Sequence, residues 1–190
     1  MKKYVFYSVI ILLLNTFSVA AQKNLLSNGG FEDGLDSWGA GNAKVTNMVR
    51  KSGEASLALV AYVKGKWEGA DQKVKLPKNS KAIVITGSYK LDEVEQGVNP
   101  WNTAVIILEF TAGDRKLGDG IPLVEKTGTA DWTSFKKNLR VPDEATGFRL
   151  MVALSEASGT FFVDDLSAIV ISIDDFEKET TVSKTKSYED

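Results

Sequence analysis

The chain has 190 residues with 23 basic and 25 acidic side chains, a net charge of −2, and neither histidine nor cysteine. Without histidine, Ser-His-Asp hydrolysis, histidine proton shuttling and most zinc catalysis are excluded. Without cysteine there is no disulfide and no bacterial lipoprotein anchor, and the acidic balance argues against nucleic acid or an anionic membrane as partner.

The N-terminus reads as an export signal. "MKK" is a short basic start, "YVFYSVIILLLNTFSVA" an apolar run, and "SVAAQK" offers small residues to a signal peptidase. The apolar stretch is short for a spanning helix, so no membrane insertion is expected. Residues 1–21 are assigned to the signal, with cleavage near Ala21 and Gln22 as the first mature residue. That removes Lys2 and Lys3, taking the basic count from 23 to 21 against 25 acidic residues. The remaining chain is long enough for one well-buried domain and short for two.

The middle of the chain predicts many short strands. "ASLALVAY" sets Leu57, Leu59 and Ala61 against Ser56, Ala58, Val60 and Tyr62, and "KAIVITGSYKL" sets Ile83, Ile85, Tyr89 and Leu91 against Val84, Thr86, Ser88 and Lys90. "TAVIILEF", "TSFKKNLRV", "FRLMVAL" and "TFFVDDLSAIVI" continue the series. Between them, "KSGE", "LPKN", "GVNPWN", "AGDRKLGDG", "VPDEATG" and "SEASG" carry turn residues. Strands at this spacing indicate an all-β sandwich or jelly roll over residues 22–173. The last segment, 174–190, is dense in charge and reads as a flexible tail, with a docking helix as the rival reading.

Two acidic stretches stand out. "NGGFEDGLDSW" packs Gly29, Gly30, Glu32, Asp33 and Asp36 into one turn closed by Trp38, and "FFVDDLS" places Asp164 and Asp165 inside an apolar strand. Paired aspartates there are costly unless neutralised. A calcium ion would serve, since it accepts carboxylates and main-chain carbonyls together. An ordinary acidic turn and an edge strand would account for the same residues.

Four landmarks in order carry a resemblance: "NLLSNGGFEDGLDSW", "VRKSGEASLAL", "ADWTSFKKNLRVP" and "GTFFVDDLSAIVI". Together, from Asn24 to about Ile171, they resemble carbohydrate-binding modules with the galactose-binding-domain-like jelly roll, of the type attached to xylanases and other glycanases. The resemblance implies one structural calcium joining the N-terminal strand to the last. Its ligands would be the Gly30 carbonyl, the Glu32 carboxylate, a carbonyl from Lys51 or Ser52, and Asp164, with Asp165 the lesser member of its pair. It also implies a polysaccharide or oligosaccharide partner, with other cell-surface glycan-utilisation proteins beyond it, in the periplasm or outside the cell.

A sugar site needs flat rings and a few polar groups. Strand parity turns Glu109 and Trp101 outward from Ala104, Ile106, Leu108 and Phe110, and Arg149 outward from Phe148, Leu150, Val152 and Leu154. If the outward faces coincide, Tyr62, Trp67, Ser88, Lys90, Trp101, Glu109 and Arg149 line one groove. Alternatively Arg149 and Glu109 form a cross-strand ion pair on a plain solvated sheet. Trp38 and Trp132 read as structural. No acid and nucleophile pair is apparent, because Glu109 is alone on its strand, so no enzyme is expected. The competing expectation is a secreted or cell-surface structural or protein-interaction β-sandwich without a sugar site.

Overall fold

The computed structural model describes residues 23–186. The expected signal, 1–21, and the last residues of the expected tail, 187–190, lie outside them. Within the described residues no helix is long and apolar enough to cross a membrane.

Eleven strands and one helix follow in chain order: β1 (Gly39–Ala40), β2 (Lys44–Thr46), β3 (Ser56–Ala61), β4 (Trp67–Lys75), β5 (Ala82–Glu95), β6 (Ala104–Ala112), β7 (Arg115–Lys116), β8 (Ile121–Lys126), β9 (Gly128–Arg140), β10 (Gly147–Ser155), β11 (Ser158–Ile171) and α1 (Ile173–Lys186). One sheet runs β1-β4-β10-β6-β7, with β8 also paired to β6; the other runs β2-β3-β11-β5-β9. All pairings are antiparallel. Two stacked antiparallel sheets make a jelly-roll β-sandwich, as the sequence predicts.

The core follows the alternation. Leu57 and Leu59, Ile83 and Ile85, and Phe161 and Val163 face inward from one sheet; Ile106 and Leu108, and Phe148, Leu150 and Leu154, face them from the other. The N-terminal segment completes this core. Leu26, Phe31 and Trp38 are buried in it, and Trp38 packs its ring 5.2 Å from that of Phe31. The Trp38 indole N–H donates to the Asn28 carbonyl at 3.1 Å, while the Asn28 amide donates to the carbonyls of Gly34 and Asp36. The acidic turn is thus closed by its own Trp.

The segment read as a flexible tail is corrected over most of its length: it forms α1. Ser172 caps it, its Oγ accepting from the Asp175 amide at 3.1 Å and donating to the Asp175 carboxylate at 2.6 Å. Ser172 thus serves as the N-cap, with Asp174 and Asp175 favourably placed against the helix dipole. Glu179 then anchors the helix to β9, accepting from Lys136 at 2.7 Å and Asn138 at 2.7 Å.

The buried Phe31 ring gives a test of the N-terminal segment as core. Phe31→Ala is expected to cost about 3–5 kcal/mol in urea unfolding, whereas Met48→Ala, at an exposed loop position, changes stability by less than about 0.5 kcal/mol.

Candidate functional site

Strand β4 is the element that positions the site. Its register with β10 pairs Trp67 with Ser155, Gly69 with Ala153, Asp71 with Met151 and Lys73 with Arg149, and β10 in turn sets Arg149 opposite Glu109 on β6. Trp67, Gly69, Asp71, Lys73, Arg149 and Glu109 therefore share the outward face of one sheet. Gly69 is needed there: a Cβ on it would lie 2.9 Å from Trp67 Nε1 and 2.8 Å from the Val152 carbonyl oxygen. With only hydrogen at that position, the indole comes down over the sheet while remaining 50% exposed.

Beside this ring, Arg149 grips Asp71 with two parallel bonds, Nε to Oδ2 at 2.9 Å and Nη2 to Oδ1 at 3.0 Å. Bidentate geometry of this kind fixes the guanidinium plane. The hydrogen bonds to Asp71 also raise the Arg149 pKa above its ordinary value, against an opposing effect of burial. Glu109 does not take Arg149 despite facing it in register; it pairs with Lys116 Nζ at 2.5 Å. The expected Arg149–Glu109 pair is replaced by two separate ones. A hollow of about 510 Å3 lies along Trp67, Gly69, Asp71, Arg149 and Met151, and a second of about 580 Å3 begins at Arg149 and continues past Lys73, Glu109 and Thr111 to Lys116. They meet at Arg149, making one trough along the strands.

The other residues expected in the groove are placed differently. Trp101, 62% exposed, sits just before β6 at the end of this face. Tyr62, 93% exposed, is on the β3–β4 loop. Both loops bond to the β10–β11 turn or its flank: the Gly65 amide donates to the Glu156 carbonyl at 3.0 Å, and the Thr103 carbonyl accepts from the Ser155 amide at 2.9 Å. Ser88 and Lys90 do not join the groove. They lie on β5, in the opposite sheet, where Ser88 Oγ is 3.0 Å from Ser134 Oγ and Lys90 pairs with Asp131 at 2.9 Å. Parity gives the face of a strand correctly but not the sheet to which it belongs. Asp71 and Lys73 were missed because "WEGADQKVK" alternates a polar face against Ala70, Gln72 and Val74, a weak apolar signal whose period of two was nonetheless present. Trp132 is half-buried and lines a hollow with residues 48–53.

The acidic seam is on the other sheet. Asp164 is fully buried; its Oδ2 accepts the amides of Lys51 at 2.8 Å and Ser52 at 3.1 Å, and its Oδ1 accepts that of Asp165 at 2.7 Å. Burial pushes its pKa up, with the three amides opposing and the Asp165 charge adding to the rise. Glu32, exposed, accepts the Glu54 amide at 2.9 Å. Glu32 Oε1 and Asp164 Oδ1 lie 3.7 and 3.9 Å from one point, the position a Cβ on Gly30 would occupy. Gly53, at φ +58°, allows this, since a Cβ there would fall 2.0 Å from Glu32 Oε1. Asp165 turns outward at φ +55° and accepts from Ser52 Oγ at 2.6 Å. Two carboxylates thus converge beside main-chain groups, a donor set that suits a hard, oxygen-seeking cation. Among the described residues no three Asp, Glu, His or Cys side chains cluster for a metal, so an ion here would depend on carbonyls to complete its shell. Lys51 and Ser52 present amide N–H groups to Asp164, whatever their carbonyls do.

No protein-family model matches the sequence, and no curated protein is significantly similar to it. Solved structures do share the fold. A family 16 carbohydrate-binding module superposes with a TM-score of 0.55 at 21% identity, over 77% of this chain and 99% of that one. The module TmCBM61, in complex with β-1,4-galactotriose, gives 0.54 at 20% identity, over 78% and 99%. The CBM22-1 xylan-binding domain of Paenibacillus barcinonensis Xyn10C gives 0.51 at 19%, over 80% and 97%. The enzymatically active domain of bacteriophage CBA120 tailspike protein 4 gives 0.64 at 14% identity, and there this chain covers 78% of itself but only 21% of the tailspike chain. The likeness is one of fold: the chain has the jelly-roll β-sandwich that carbohydrate-binding modules of these types adopt.

Removing the buried acceptor tests the seam without reference to any ion. Asp164→Ala leaves the Lys51, Ser52 and Asp165 amides without their partner and is expected to cost about 2–4 kcal/mol, while Asp165→Ala costs less than about 1 kcal/mol, both read from urea unfolding.

Proposed function

We propose that this chain is a secreted, non-catalytic carbohydrate-binding module, working in the periplasm or outside the cell, that takes a polysaccharide or oligosaccharide into the trough on the β1-β4-β10-β6 face. The observation that carries the reading is the Trp67 ring laid over Gly69 beside the clamped Arg149–Asp71 pair. An exposed indole offers the flat apolar surface on which a pyranose ring stacks, and fixed charged groups alongside it accept and donate to hydroxyls. Trp101, exposed just before β6, lines neither hollow but would offer a second ring to a longer ligand. Because Arg149 is held by Asp71 and Glu109 by Lys116, the lining is ordered before any ligand arrives, which lowers the entropy cost of binding. The same commitments engage Asp71 and Glu109, the two carboxylates at the centre of the trough, in one ion pair each. The neighbours named as carbohydrate-binding modules are in keeping with this reading.

In the same proposal, calcium occupies the seam. Glu32 and Asp164 would hold it, with carbonyls of Gly30 and of Lys51 or Ser52; Asp165, outward and bonded to Ser52, stands aside. The ion would supply charge neutralisation to a buried carboxylate and tie the two ends of the domain together. It has no part in sugar contact.

A second reading, an interaction domain without a sugar site, is favoured by one feature: Tyr62, Val63, Val98 and Trp101 are all exposed on loops at one end of the sandwich. Exposed apolar groups gathered in this way often mark a protein-binding surface.

Two measurements decide. On a glycan array and by calorimetry, Trp67→Ala is expected to weaken binding at least about tenfold with an unchanged circular dichroism spectrum; a wild-type protein that binds no glycan leaves the interaction domain as the better account. Separately, a chelator is expected to lower the melting temperature by several degrees, because an ion that binds only the folded state stabilises it by mass action; an identical melt with and without calcium removes the ion from the proposal.

A further inference from the structure

Charge in the trough is unevenly matched. Its two central carboxylates are already spoken for, Asp71 by Arg149 and Glu109 by Lys116. Lys73 and Lys75, at outward positions of β4, are exposed and have no carboxylate partner among the described residues. They border the hollow of about 580 Å3, where Asp114 is the sole acid left unpaired. Around the edge of β4 they also border a hollow of about 540 Å3, in which Lys23 joins them and no acidic residue takes part. β1 pairs β4 only at Ala70 and Asp71, and beyond that pairing the N-terminal residues Lys23, Leu25 and Ser27 border the strand. A cluster of uncompensated lysines is thus concentrated at one end of the trough in a chain whose net charge is −2.

From this imbalance, and resting on the glycan-binding reading above, we propose that the ligand is an acidic glycan, one carrying carboxylate or sulfate groups, with a sugar ring on Trp67 and its anionic substituents set against Lys73 and Lys75. The geometry fits a chain rather than a single sugar. Six residues of strand separate Trp67 from Lys73, roughly 20 Å at about 3.3 Å per residue, so the two ends of the trough would be engaged by different units of one oligosaccharide. Lysines near a sheet edge can also serve to block edge-to-edge pairing, and the experiment has to tell these roles apart.

Binding of the full exported chain is measured by affinity electrophoresis and calorimetry against neutral polymers (xylan, β-1,4-galactan, mannan), carboxylated ones (polygalacturonate, alginate) and a sulfated one (carrageenan), at low and at raised salt. Acidic polymers are expected to bind about tenfold tighter than neutral ones at low salt, with the margin shrinking as salt screens the lysines. Lys73→Gln/Lys75→Gln should cut acidic binding about fivefold to tenfold and leave neutral binding unchanged, while the charge-matched control Lys126→Gln/Lys137→Gln changes neither. Whether polygalacturonate or carrageenan leads identifies the substituent as carboxylate or sulfate. Neutral polymers bound as well as acidic ones would overturn the inference and leave the sugar-binding reading intact, whereas no binding to any polymer would remove both. An equal loss in the control pair, or a double variant that self-associates without losing acidic binding, would also overturn it.

Discussion

One buried carboxylate organises this molecule. Asp164 sits in β11 with both oxygens committed to main-chain amides, two of them from the loop between β2 and β3. A lone aspartate in that position would be expelled or protonated; the amides make it tolerable and in return hold the loop across the sheet. The register of β11 against β5 breaks between Asp164 and Ser167. At this bulge the chain turns Asp165 outward and frees the Leu166 amide to donate to the Gly29 carbonyl at 2.9 Å. The Leu25 amide likewise donates to Ala168 at 2.7 Å. So the irregularity that seats Asp164 also creates the docking edge for the N-terminal segment, which delivers Leu26, Phe31 and Trp38 to the core.

That segment reaches further still. Gln72 of β4, buried on the inward face, exchanges two hydrogen bonds with Ser27: it accepts the Ser27 amide at 2.8 Å and donates to the Ser27 carbonyl at 2.9 Å. A polar side chain inside a core is stable only when satisfied in this way. The consequence is mechanical. Gln72 alternates with Asp71 and Lys73, so the bonds that fix it from inside also fix the strand that presents Trp67, Asp71 and the lysines outside. Seam and trough occupy opposite sheets, yet the N-terminal segment touches both.

Much of this fold is legible in the sequence because β3, β5, β6, β10 and β11 each bury an alternate set of large apolar side chains, although β3 and β10 bury most of the other set too and β11 shifts parity after Asp164. The same parity turns Trp101 outward, whereas Trp38 reads as a core or seam residue from its place after the acidic turn, and the structure has it buried. The rest was hidden for identifiable reasons. Strand β4 has no strongly apolar face, since its inward set includes Gln72, whose partner Ser27 is distant in sequence. Strand β8 contains Pro122, which demotes a strand pattern, and it survives at the margin of its sheet through pairing to β6 alone. Helix α1 carries its signal in four residues, Ser172 to Asp175, and otherwise reads as solvated charge. Ser88 and Lys90 show the limit of parity: their outward orientation was right, but the assignment of β5 to the second sheet depends on long-range pairing with β9 and β11 that no local pattern records.

The trough itself departs from what local rules would choose, and the departure is informative. A solvated sheet face has no need of a glycine at its middle, a large indole folded over that glycine, or a bidentate ion pair where water would satisfy both partners; surface ion pairs contribute little stability, at most about 1 kcal/mol. Gly69 even weakens β4, because strand glycines lack a side chain to pack. These costs fall on the same few residues along one line from Trp67 to Arg149, on the one strand that the core clamps by means of a buried glutamine. Stability alone gives no reason for that coincidence. A rigid aromatic and charged surface, held in place from beneath, is what recognition of a ligand requires.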